Sequence, residues 1–256
     1  MSIYLKNILL LLSLALTGVE GMEIKNIYHA VDVAGKQRMF TQKMLKDYAM
    51  IGMKNSFGHP DKDLTEVIDA FEDHLYSLEN YTDKREIKES IKDSEHQWLI
   101  VKELLEKEPI KESVLTIQKD LDELLHLADN TTKLFAKETG KPSGEIVNIS
   151  GRQRMLSQRM ASLYMLKVWG VDDDKFKDKM ESAMNLFDTS LERLQKSELN
   201  TKEIDRLLKR VERSFIFFQV MNRSESTFIP TLIYKKSNDI LADMNSATHC
   251  YVKVSK

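Results

Sequence analysis

The chain has one cysteine, Cys250, among 256 residues. No disulfide can form within it, so the fold must rest on core packing, and a buried free thiol is the expected state of Cys250. Proline and glycine are scarce, at four and nine residues, and no apolar run has a two-residue period. Both absences argue against sheets and for helices. Charge of one sign is also lacking: 38 Lys and Arg stand against 40 Asp and Glu. The charges are interspersed, without the basic patch that nucleic acid demands. Segments such as 83–93 alternate in sign at helical spacing and read as a solvated face. There is no Cys-x-x-Cys-His, P-loop, Rossmann glycine pattern or serine nucleophile elbow. Glu123 and His126 form a lone Glu-x-x-His, where a di-iron bundle needs two and two further carboxylates. No cofactor, no metal site and no enzymatic activity is expected. The 13 methionines fall at helical spacing, as at Met39, Met44, Met155 and Met160, and read as core filling.

Long apolar runs are absent except at the start. Lys6 precedes an apolar run from Ile8 to Leu16, with small residues at Thr17, Gly18 and Gly21. This is a secretory signal pattern, too short for a spanning helix of roughly 20 residues. Residues 1–21 are therefore expected to be a signal peptide and the remainder an exported, soluble protein.

What is present is a repeat. Ala34-Gly35-Lys36-Gln37-Arg38-Met39-Phe40-Thr41-Gln42-Lys43-Met44 returns 116 residues later as Ser150-Gly151-Arg152-Gln153-Arg154-Met155-Leu156-Ser157-Gln158-Arg159-Met160. Six of the eleven positions are identical, and the rest are conservative exchanges. The relation extends further. Phe71, Leu75 and Leu78 match Phe187, Leu191 and Leu194, while Ile87, Ile91 and Trp98 match Ile204, Leu208 and Phe215. Asn130 matches Asn245 at a separation of 115. Breakers and periodicity predict helices over 27–54, 62–80, 83–107 and from Pro109 to 138, then a linker over 139–144. Further helices follow over 145–169, 172–196, 201–223 and 230–252. Short connections favour antiparallel neighbours. The expected fold is all-α, two tandem up-down four-helix bundles, with modules at 22–139 and 140–256.

Within the first helix Val33, Gln37, Phe40, Met44, Tyr48 and Ile51 share one stripe, the seam of its own bundle. Ile149, Gln153, Leu156, Met160 and Tyr164 repeat it. A buried Gln37 or Gln153 needs hydrogen-bond partners. Gly35, Arg38, Gln42, Leu45 and Ala49 lie on another face, repeated by Gly151, Arg154, Gln158, Ala161 and Met165. Glycine there allows close approach, and arginine offers a planar fork of donors for oxyanions. Gln42 and Gln158 add neutral donors. Two such faces together would line a cationic slot suited to nitrate, nitrite or a carboxylate. The competing reading makes both arginines ordinary surface or ion-paired residues.

These two segments resemble the signature of the PilJ/NarX-type sensor domain. Such domains form the periplasmic part of nitrate/nitrite sensor kinases and of type IV pilus chemotaxis transducers. The resemblance covers both halves and implies two tandem four-helix modules in the periplasm. In nitrate sensors of this family the motif arginine binds nitrate across a dimer interface. That role would fall on Arg38 and Arg154, assisted by Gln42 and Gln158, with Gly35 and Gly151 permitting close approach. The second copy is closer to the transducer branch. Family receptors continue into a membrane helix, which this sequence does not show after Lys256, so signalling is expected to need a membrane receptor, histidine kinase or chemotaxis transducer as partner. A dimer, or pairing of the two halves within one chain, would form the slot. The alternative is a non-catalytic interaction or scaffold protein, tied to a receptor or type IV pilus system, that has lost its ligand.

Overall fold

The computed structural model describes residues 22–223 and 229–255; the signal peptide expected over residues 1–21 lies outside them. The described residues form eight α-helices and no strand. They are α1 (Ile27–Gly52), α2 (Pro60–Tyr81), α3 (Arg85–Leu105), α4 (Val114–Glu138), α5 (Pro142–Val168), α6 (Phe176–Gln195), α7 (Lys202–Arg223) and α8 (Pro230–Val254). A short 3₁₀ turn, Lys111–Ser113, leads into α4.

Local chemistry accounts for the starts and stops. Asn26 caps α1 by accepting from the backbone N–H groups of Tyr28 and His29, each at 3.1 Å. Pro60, Pro142 and Pro230 open α2, α5 and α8, where a missing N–H costs nothing. Gly170 follows α5 with φ of 75°, a left-handed conformation that glycine adopts without steric cost. Three helix starts differ from the sequence reading by three residues or more. The fourth helix begins at Val114 instead of Pro109, because the 3₁₀ turn precedes it. Pro142, Ser143 and Gly144 belong to α5, so the connection between halves is three residues, not six. Asp172, Asp173 and Asp174 precede α6 instead of opening it: Asp173 accepts from the Lys175 N–H at 2.9 Å and pairs with Lys179.

Helices α1 to α4 pack as a ring of neighbours, and α5 to α8 do the same. Each quartet has its own apolar seam. Phe71 lies against Trp98 with ring centroids 4.5 Å apart, and Phe187 lies against Phe215 at 4.4 Å. These are counterparts in the repeat. Tyr48 accepts the Ile110 N–H at 3.3 Å, and Tyr164 accepts the Ile229 N–H at 2.7 Å. Both bonds tie the end of a signature helix to the approach to the fourth helix of its quartet.

The quartets meet through α1 and α5, which are buried over most of their length. The two helices run in the same direction, since Gly35 lies by Gly151, Gln42 by Ser162, and Gly52 by the Trp169 ring. Cys250 is a half-buried free thiol. Among the described residues no helix is long and apolar enough to cross a membrane.

Candidate functional site

Two α-carbons without side chains start the site. A methyl group on Gly35 would sit 3.2 Å from Arg38 Nη2 and 3.3 Å from Arg154 Nη2; one on Gly151 would sit 3.0 and 3.3 Å from Arg154 and Arg38 Nη2. Real Cβ contacts are seldom so close. The missing Cβ atoms let α1 and α5 approach and leave room for both guanidinium groups between them. The faces predicted to come together therefore do so, within one chain.

Both arginines are completely buried, so the competing reading fails on exposure but holds on ion pairing. Each also has its own counter-ion. Arg38 Nη1 lies 2.6 Å from Asp129 Oδ1 on α4 and donates to Asn148 Oδ1 on α5 at 2.9 Å. Its Nη2 donates to the Asn148 carbonyl at 3.1 Å. Arg154 Nη1 lies 2.7 Å from Asp32 Oδ1 on α1 and donates to Asn245 Oδ1 on α8 at 3.2 Å. Its Nη2 donates to the Asp32 carbonyl at 3.2 Å. The Nε–H of each arginine is buried without a hydrogen-bond partner. Burial pushes the Arg38 guanidinium down to about 10 despite Asp129. Burial works against ionisation of Asp32 and Asp129 too, but the cations around them, Arg154 with Lys36 and Arg38 with Lys133 and Arg152, together outweigh it and hold both carboxyls below their ordinary value. Four charges thus lie between the quartets and cancel.

The sequence pattern marks the arginines and glycines but not Asp32, Asp129 or Asn148, and it marks Asn245 only as a repeat match. It also paired Asn245 with the wrong residue. In space the counterpart of Asn245 is Asp129, since each bonds to its signature arginine from 91 residues further along. Asn130 instead donates to Ser90 Oγ at 3.1 Å. The identity of two asparagines concealed a register of 116.

The signature glutamines act elsewhere. Gln37 donates to the Phe71 carbonyl at 3.0 Å and Gln153 to the Phe187 carbonyl at 2.9 Å, which gives each buried amide a partner for its Nε2, while each Oε1 is buried without one. Gln158 donates to the Ser237 carbonyl at 3.1 Å and accepts from Lys46 Nζ at 2.8 Å. Gln42 accepts from Ser162 Oγ at 3.4 Å. Lys46, the counterpart of Ser162, is wholly buried, bonds to Asn238 Oδ1 at 3.0 Å, and lies over the Tyr234 ring at 4.2 Å. Its nearest carboxylate, Asp47, is 3.7 Å away. Burial lowers the ammonium to about 8. This second ionic centre, two turns beyond Arg38, also joins α1 to α5 and α8.

A surface depression of about 740 Å³ lies elsewhere, by Pro142, Ile146, Arg193 and Leu199. It is lined by neither signature arginine, so its size says nothing about the centre.

Residues 135–215 match the family described as type IV pili methyl-accepting chemotaxis transducer N-term, PilJ. This part of the chain is similar to a PilJ-type domain. The match takes in α5, α6 and much of α7, and so carries Gly151, Arg154 and Gln158. No significant match occurs among curated proteins or solved structures. The matched region supplies one of the two arginines at the centre; the other comes from the first half of the chain.

Proposed function

We propose that this protein is a non-enzymatic, exported signalling module of the sensor type. Its two halves would be tandem PilJ-like modules, at 22–139 and 140–256, that pair with each other as receptor subunits pair in a dimer. In this reading Arg38 and Arg154 hold the two modules together, and the protein works through contact with a membrane transducer or receptor. The observation carrying it is that each buried guanidinium has a carboxylate of the same chain within 2.7 Å. Two guanidiniums between two packed helices, neutralised by two aspartates, need no diffusible ligand.

The second reading is a small-anion sensor for nitrate, nitrite or a carboxylate. The convergence of both Nη2 groups beside Gly35 and Gly151, and the two unbonded Nε–H donors, favour it. An anion would then have to displace Asp32 or Asp129. A thermal-shift panel of small oxyanions and carboxylates, at fixed ionic strength, separates the readings. The interaction module predicts no saturable shift in the parent protein. A shift that disappears in the Arg38→Ala/Arg154→Ala variant would select the anion sensor.

A further inference from the structure

The duplication places two equivalent clefts between the halves. At the register of 116 residues that relates Asp129 to Asn245, α4 corresponds to α8, and the α5–α6 connection corresponds to the α1–α2 connection. One cleft lies where α8 meets the α1–α2 connection, and it is filled. The Tyr234 hydroxyl donates to Asp63 Oδ2 at 2.7 Å and lies 3.2 Å from the Gly58 carbonyl. Its ring meets Phe57 edge to face, with centroids 5.8 Å apart. A methyl group on Gly58 would collide with that ring, so the tyrosine takes all the space over the connection.

The other cleft, where α4 meets the α5–α6 connection, is open. Gln118 stands in the place of Tyr234, Asp174 in that of Gly58 and Lys179 in that of Asp63. All three line a depression of about 480 Å³, within the range of roughly 300–1,000 Å³ for small-molecule sites. Gln118 is only 3% exposed, yet its amide bonds to no other described residue. Buried amides ordinarily find partners, and this one is left to bond what enters the depression. Charges of both signs surround it. Asp173 pairs with Lys179 at 2.7 Å, and Asp122 pairs with Arg159 at 2.8 Å. Lys119, Lys175, Glu123 and Asp174 also line the depression and form no ion pair with a described residue. Leu115, 44% exposed, adds an apolar surface.

We propose that this open cleft is a binding site for a free aromatic α-amino acid. Unpaired cations and acids side by side suit a ligand that carries both charges: Lys119 and Lys175 face its carboxylate, and Glu123 and Asp174 face its ammonium. Gln118 offers a donor and an acceptor at the floor. The aromatic side chain follows from the equivalent cleft, which the ring of Tyr234 fills; here a ring from the ligand takes that place, beside Leu115. The walls come from both halves, α4 from the first and the α5–α6 connection from the second, so the occupant bridges them and strengthens their pairing. Neither Arg38 nor Arg154 takes part.

Titration calorimetry of the parent protein with L-phenylalanine should show saturable binding at a single site per chain, since Tyr234 occupies the equivalent cleft. Hydrocinnamate, which lacks the amine, and phenethylamine, which lacks the carboxylate, should each bind at least about tenfold more weakly, the worth of a lost charge-assisted hydrogen bond. Gln118→Tyr, which supplies the side chain that plugs the other cleft, should abolish binding. Lys119→Ala/Glu123→Ala, at two exposed positions, should weaken it by a similar factor while leaving the thermal midpoint near that of the parent. If Gln118→Tyr does not fold, this surface variant carries the test alone. A parent that gives no saturable heat with L-phenylalanine has a merely water-filled cleft, which overturns the proposal. Binding that survives these substitutions, or equal binding of the three compounds, overturns it too. None of these results bears on the arginine centre, whose two readings are separated by the oxyanion panel and the Arg38→Ala/Arg154→Ala variant.

Discussion

Stability between pH 7.5 and 9.5 should rise, and Lys46 is the reason. Its ammonium is fully buried, with one carboxylate nearby at 3.7 Å that Lys43 holds more closely, at 2.9 Å. Burial lowers it from an ordinary 10.5 to about 8. A base whose folded value is depressed binds fewer protons in the folded than in the unfolded state across the interval between the two values. Stability therefore increases with pH there. For about 8 against 10.5, the gain from pH 7.5 to 9.5 is about 1.8 kcal/mol, or about 4–7 °C in midpoint for a chain of this size. The window ends at 9.5 because burial raises Tyr234 and Tyr251, so ionisation of the unfolded tyrosines near 10 begins to reduce stability. The assay is urea unfolding at four pH values, for the parent and for Lys46→Met. Absolute stability of the variant is uninformative, because Gln158 and Asn238 lose a donor while a buried charge is removed. The slope is the readout: positive in the parent and flat in Lys46→Met. A parent that is flat or falling over this window, or a variant that rises equally, would refute the reasoning.

Acid should act oppositely. Asp32 and Asp129 have lowered folded values, so their contribution is complete above the ordinary aspartate value near 4 and is lost as pH falls through the depressed values. Denaturant midpoints should drop below pH 4, and drop less in a variant lacking both Asp32 and Arg154. Gln153→Leu should cost about 0.5–1.5 kcal/mol, the net worth of the lost bond to the Phe187 carbonyl, which keeps its intrahelical donor within α6, and urea midpoints would show it. Gln37→Leu should cost a similar amount at Phe71, since the two bonds are counterparts.

Most of the helices were legible because their signals are local. Pro60, Pro142, Pro230 and Gly170 mark ends through backbone constraints that do not depend on tertiary contacts, and the Val33–Gln37–Phe40–Met44–Tyr48 stripe locates a seam through periodicity alone. Gly35 and Arg38 were legible as a pair because the repeat places the same two residue types on the same face twice. The counter-ions were not. Asp32 serves an arginine 122 residues away on another helix, and its meaning appears only once α1 lies beside α5. Asn130 misled because an identical residue type outweighed a one-residue shift in register. Lys46 was invisible as a buried charge because Arg38, Gln42 and Lys43 share its side of the helix, which reads as polar; only the packing of α8 over it, with Tyr234 and Asn238, removes it from water.

The central claim is that Arg38 and Arg154 are internally neutralised and join the two halves of the chain. A double-mutant cycle on Arg154 and Asp32 tests it most directly. Arg154→Met alone strands a buried carboxylate and should cost about 3–5 kcal/mol, or about 6–20 °C. The account predicts that Arg154→Met/Asp32→Leu recovers most of that loss, giving a coupling energy of at least about 2 kcal/mol between positions on α1 and α5. A double variant as unstable as the sum of its single variants would mean that the two residues do not form the charge pair on which the account depends.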